Sequence, residues 1–185
     1  FFPELRKLIP KSGVPFFDDA VYQVSPRAFY RHRDNGDGSK SEAFAYGGEI
    51  GAKSGYLADT IRFGVTGYTS QRLYGPSDRF GTGLLEPIQD GYWALGEAYA
   101  EIKLEGIQAN LYRQRLDLPY INANDSRMTP NTFEAYGVSF TGIPKLQTGI
   151  GHVEKIKFSN RPDFEYLSAH AGAPGSKRGV SMVGA

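Results

Sequence analysis

The chain has no cysteine, two methionines and one tryptophan among its 185 residues. Without cysteine there is no disulfide framework and no thiolate metal site, and neither a metal nor a cofactor is expected. No run approaches the roughly 20 apolar residues that a membrane-spanning helix requires. The opening FFPELRKLIPKSGVPFFDD lacks the charged and then apolar regions of a secretory leader, so residues 1–19 read as a mature or truncated start without an assigned place. One sign of charge does not dominate either. Lysine and arginine number 21 against 20 acids, a net charge of +1, which predicts no nucleic-acid partner.

What the chain does have is 12 tyrosines, 12 phenylalanines and 23 glycines. Aromatic side chains suit a pleated surface, so the composition favours strands. If such a chain enters a membrane, it must do so as a closed barrel, the one strand arrangement that satisfies every backbone group in lipid.

Alternation and turn formers predict eight strands: Val21–Arg33, Ala45–Tyr56, Thr60–Gln71, Tyr92–Leu104, Ile107–Gln114, Phe133–Thr141, Leu146–Lys157 and Gly179–Gly184. Several are near the ~9–11 residues of a tilted membrane strand. Their connections alternate. Asp34–Phe44, Arg72–Gly91, Arg115–Thr132 and Phe158–Arg178 are long and polar or glycine-rich, whereas Leu57–Asp59, Glu105–Gly106 and Gly142–Lys145 are short. Tight turns at one end and long loops at the other are the topology of outer-membrane barrels, and a soluble sandwich has no reason to sort its loops in this way.

The strands are two-faced, because successive side chains alternate sides. In the first, Tyr22, Val24, Ala28 and Tyr30 oppose Arg27, Arg31 and Arg33, so the three arginines point the same way. In the second, Tyr46, Ile50, Ala52 and Tyr56 oppose Glu49 and Lys53. In the third, Ile61, Phe63 and Val65 oppose Arg62, Thr66, Tyr68 and Ser70. In the fourth, Tyr92, Ala94, Ala98, Ala100, Ile102 and Leu104 oppose Glu97, Tyr99, Glu101 and Lys103. Apolar faces ending in tyrosines (Tyr22 with Tyr30, Tyr46 with Tyr56) match lipid-facing bands with aromatic girdles. A soluble sheet wetted on one face explains the alternation equally well, but not the loop pattern. Arg113 shares a side with Ile107, Ala109 and Leu111, and the seventh strand does not divide cleanly.

Leu116–Tyr136, LDLPYINANDSRMTPNTFEAY, closely resembles a signature of the OprD family of outer-membrane porins, with its core in Asp125–Phe133. SPRAFYRHRD at Ser25–Asp34 is similar to the family's first strand, and GHVEKIKFSN at Gly151–Asn160 to a later one. The resemblance runs from about Ala20 to the end. It implies an all-β, antiparallel up-and-down transmembrane barrel of about eighteen strands, of which residues 20–185 supply about eight. The expectation is therefore part of a larger barrel in the bacterial outer membrane, with the lipid bilayer and small solutes as partners and a homotrimer as the assembly.

The resemblance further implies a passive channel for small polar or charged solutes such as amino acids, small peptides and carboxylates. Its inward-folded loop would be residues 115–132, where Asp125 and Arg127 either touch solute or hold the loop's shape. It also implies a basic ladder on one wall that guides carboxylates. Arg27 and Arg33 match its positions, Arg31 joins them by facing, and Arg62 extends the row. Lys53 and Lys103 are expected to pair with Glu49, Glu97 or Glu101 across strands. The alternative is a small closed barrel with a structural or adhesive role. An enzyme is not expected, since His32, His152 and His170 are scattered and belong to no catalytic motif.

Overall fold

The computed structural model describes residues 10–185. The sequence alternation becomes nine strands: β1 (Val21–Asp34), β2 (Lys40–Lys53), β3 (Ile61–Tyr74), β4 (Tyr92–Leu104), β5 (Ile107–Gln114), β6 (Thr132–Ile143), β7 (Leu146–Lys157), β8 (Phe164–Tyr166) and β9 (Val180–Gly184). They form one antiparallel sheet in chain order from β1 to β8, with β9 on β7. The far edge of β7 is shared, because Lys155–Lys157 pairs with β8 and Gly149–Val153 with β9. Among the described residues β1 pairs only with β2, so the sheet is open at that edge. The described residues also form two single-turn helices, α1 (Pro15–Asp18) and α2 (Leu167–His170). Among the described residues no helix is long and apolar enough to cross a membrane. Of the unplaced N-terminal segment, residues 1–9 lie outside the described residues; the rest carries α1, which docks at the short-turn end. There Gly55 N–H donates to Phe16 O, and the Phe16 ring meets Phe63 at 6.5 Å.

β4, β5 and β7 have the expected bounds. The first hairpin differs. Lys40, Ser41 and Glu42 are polar and read as loop, yet they continue β2 to the pair Asp34 with Lys40, leaving only residues 35–39 as the turn. Burial explains why polar residues sit in a strand there, because Ser41 and Glu42 are covered by the connection between β3 and β4 and the Glu42 N–H donates to Arg79 O. β8 went unread for the opposite reason. Three residues inside a long loop carry too little periodicity to register.

Facing follows the alternation except where a bulge resets it. Thr66 pairs with Glu97 but Gly67 with Leu95, so Gly96 is an extra residue in β4. A bulge moves every residue beyond it to the other face. Tyr92 and Ala94 are therefore buried on the inner face with Tyr68 and Ser70, whereas Trp93, 72% exposed, lies outside, reversing the expected assignment of that half-strand. Tyr56 is also corrected. It falls beyond β2 and turns inward, donating to Glu101, with the Arg62 guanidinium 4.5 Å from its ring. In β7 a second bulge, at Glu154, explains why that strand does not divide cleanly.

The outer face carries Tyr22, Val24, Ile50, Phe63, Val65, Trp93, Val138 and Ile150, all exposed. Arg113 stays on this face and is neutralised there. Glu134 accepts from its Nη2 at 3.0 Å and from Lys155 Nζ at 2.6 Å, and the Phe164 ring lies 4.2 Å from the guanidinium. Among the described residues, buried apolar side chains gather in two small clusters. Ala43 and Ala45 meet Leu84, Leu85 and Met128, and Phe133, Ala135, Val153 and Ile156 meet Leu116 and Ile121. Each cluster joins the wall to loop residues on the inner side. Apolar outside and polar inside is the inverse of a soluble sheet, and it is what a lipid-facing wall requires.

Candidate functional site: the inner face and its inward loop

Residues 115–131 leave β5 and cross the inner face. Leu116 and Ile121 pack on β6 and β7, Asp125 reaches β1, Met128 packs on Ala43 and Ala45 of β2, and Thr129 reaches Tyr92 of β4. One connection thus touches both ends of the sheet, which places it within the concave side.

Its front is clamped by charge. Arg27 donates in bidentate fashion to Asp125, Nη1 to Oδ1 at 2.7 Å and Nη2 to Oδ2 at 3.1 Å, and also donates to the Arg127 carbonyl. Arg115 also donates to Oδ2 of this carboxylate, at 2.8 Å. Partial burial alone would raise the Asp125 pKa, but the two guanidiniums outweigh it and hold the carboxyl below its ordinary value. The Arg115 pKa moves the other way: burial would lower it, and Asp125 raises it.

The remaining arginines find a different environment. Arg31 donates to Thr82 O at 3.1 Å, and Arg33 to Asn35 Oδ1 at 2.8 Å and to Gly81 O at 3.4 Å. The Thr82 and Gly81 carbonyls belong to residues 75–91, a second connection that folds inward and packs Leu84 and Leu85 against Met128. Arg127 lies beside Gly83, where an added Cβ would stand 3.2 Å from its Nε. Among the described residues none of Arg31, Arg33 and Arg127 has a carboxylate partner.

Lower on the wall, Glu101 takes Arg62 at 2.7 Å and Lys53 at 3.6 Å, while Glu97 and Glu49 accept from neutral donors, Tyr68 and Gln23. The expected pairing of Lys53 is present, while Lys103 lies 5.8 Å from the Tyr56 ring. Arg62 is thus bound into a wall pair. The six expected site residues all face inward, but they fall into three groups: Arg27 with Asp125, Arg62 with Glu101, and Arg31, Arg33 and Arg127 near each other without acids. Arg115 and the 75–91 connection were missed, because their contacts arise from loop folding and leave no periodic trace. Of the histidines, His152 Nδ1 meets Ser181 Oγ at 2.9 Å, a contact of two directly paired strand positions.

The bulge at Gly96 makes this inner face possible. A Cβ there would stand 2.3 Å from Tyr68 Cδ2, inside a ring that is 1% exposed. Gly96→Ala is expected to lower stability by about 1–3 kcal/mol through overpacking, read as a lower urea midpoint for the folded barrel in detergent. An unchanged midpoint would show that Tyr68 has room to move.

Comparisons agree with this geometry. The family model described as "outer membrane porin, OprD family" matches residues 14–185. Porin D of Pseudomonas aeruginosa is 27% identical over 150 residues, covering 77% of this chain and 34% of that protein. OccK9 (OpdG) of Pseudomonas aeruginosa is 30% identical with a TM-score of 0.72, over 81% of this chain and 41% of that one. OpdK of Pseudomonas aeruginosa, solved with vanillate, shares the fold with a TM-score of 0.68 at 22% identity, over 81% and 40%. The chain spans roughly a third to two-fifths of the length of these relatives. An open sheet with an apolar outside, a charged inside and a loop folded across it, matched by the family model over nearly its whole length, places the chain in the OprD family of bacterial outer membrane porins.

Proposed function

We propose that residues 20–185 act as one barrel domain, supplying wall and constriction to a passive channel for small polar or charged solutes. The supporting observation is that the inward loop carries Arg127 and lies beside Arg31 and Arg33, and none of the three has a carboxylate partner among the described residues. Fixed charge in a narrow lumen sets ion selectivity, and guanidinium pairs bidentately with carboxylate. Arg31, Arg33 and Arg127 thus form the part of the ladder that meets solute, and carboxylate-bearing solutes are the favoured class. The vanillate of OpdK, a carboxylate, is consistent with that chemistry. Arg27 and Asp125 hold the loop, and Arg62 stiffens the wall. The bilayer holds the barrel by its apolar outer face, and a homotrimer is the assembly proposed. The alternative of a closed eight-stranded barrel with a structural or adhesive role is disfavoured by an edge strand, β1, that pairs only with β2 among the described residues.

The test is reconstitution of the complete protein into planar bilayers. Stepwise conductance with anion preference is expected. A folded protein that gives no current steps would sink the proposal.

A further inference from the structure

The inward loop has a second anchor, and it is a buried cation. Lys157, the last residue of β7, is completely covered, yet no carboxylate lies within ion-pair distance among the described residues. Burying a charge without a counter-ion is costly unless hydrogen bonds and rings replace its hydration. Those substitutes are present. Nζ donates to Phe158 O at 2.9 Å and to Thr129 Oγ1 at 3.3 Å, and it lies 5.6 Å and 5.9 Å from the rings of Tyr68 and Tyr92. Both ring separations lie within cation–π range. The side chain passes over Gly96, where an added Cβ would stand 3.4 Å from its Cε.

Thr129 is the point at which the loop joins this network. Its hydroxyl also meets the Tyr92 hydroxyl at 2.8 Å and donates to Ser159 O at 3.1 Å. Tyr92 donates to the same carbonyl at 2.6 Å. Lys157 therefore ties the loop to β3 through Tyr68, to β4 through Tyr92 and to the end of β7. Thr129 and Pro130 are completely buried and Met128 nearly so. Ser126 and Arg127 consequently hang between two fixed points, the Asp125 clamp in front and the Lys157 post behind.

We propose that Lys157 is a positioning residue for the constriction, holding Arg127 at its place in the lumen. This rests on the channel reading above but is tested independently of conduction. Because the chain has no cysteine, a single Met128→Cys, at a loop position 1% exposed and next to Thr129, reports local opening of the loop through its rate of alkylation in the complete, folded barrel in detergent micelles. Lys157→Met keeps the length and apolar stem and removes the cation. It should raise the rate at position 128 about ten-fold, as expected when a buried charged hydrogen-bond network is lost and the loop opens locally. A reporter at Ala20→Cys, buried outside the loop, should be unaffected. Lys157→Arg, which keeps the cation, should restore the slow rate at position 128, a rescue that general loosening would not produce. An unchanged rate at 128 in folded Lys157→Met overturns the proposal, as does an equal rise at 20. Should Lys157→Met fail to fold, Thr129→Val removes the loop's hydroxyl bonds to Lys157, Tyr92 and Ser159 together, and Tyr92→Phe leaves the Lys157 bond in place; a rise in Thr129→Val without one in Tyr92→Phe supports the proposal, and any other result overturns it. Failure of the channel reading would appear separately, as wild-type protein without current.

Discussion

Replacing Arg31, Arg33 and Arg127 together by glutamine is expected to lower the anion-over-cation permeability ratio about five-fold. The size follows from Coulomb's law. A charge about 10 Å from a passing ion contributes about 0.4 kcal/mol through water, and one Debye length at 0.1 M salt reduces this by about a factor of e. Three charges leave about 0.5 kcal/mol, and because an anion gains what a cation loses, the difference is about 1 kcal/mol. The measurement is the reversal potential across a salt gradient. The same substitutions should do little at about 1 M salt, where the Debye length is about 3 Å. The contrast is the double variant Arg62→Gln with Glu101→Gln, which removes a paired charge together with its partner and leaves the net lumen charge unchanged. A double variant that moves the reversal potential as far as the triple variant would show that carboxylate pairing does not sort these arginines.

The distinction between paired and unpaired arginines was not legible in the sequence. Alternation put Arg27, Arg31 and Arg33 on one face, and they are on one face. It could not tell that Asp125, nearly a hundred residues away, would take one of them, because loop residues obey no period. The same limit hid Lys157, which looks from its strand like another wall charge. Where periodicity governs, the reading holds: β5 between its two-residue turn and the long loop has the expected bounds, set by hydrophobic alternation and turn chemistry. It fails at Gly96, where one inserted residue exchanges the faces of Tyr92 and Trp93. A glycine in a strand interior is the available signal for such a bulge, but this chain has many glycines and few of them reset the register. The first hairpin failed for a third reason. Composition marked Lys40–Glu42 as loop, and burial under another loop made it strand.

Asp125→Ala is expected to act in the opposite direction to the arginine substitutions and on the loop itself. It leaves Arg27 and Arg115 as two facing cations with no anion between them, so anion preference should rise while the loop loses its front anchor. Hydrogen bonds to charged groups contribute about 1.5–3 kcal/mol when buried. With Arg27 and Asp125 about a third and a quarter exposed, the lower end or less applies. The expected record is therefore a noisier open channel with short-lived substates, and not a collapsed one, because Met128 and Thr129 still hold the other end of the loop. The pH dependence has a definite sign. Asp125 titrates below its ordinary value of 3.8, so its clamp is present above that value and is lost only as pH falls through the lower, folded pKa. Wild-type channels should keep quiet open levels from neutral pH down to about 4, and become noisy below it. Asp125→Asn should be noisy at every pH, so the two records converge only in acid. If wild-type noise rises instead between about pH 5 and 7, where histidine titrates, the acid-sensitive group is not Asp125 and the clamp does not set the loop.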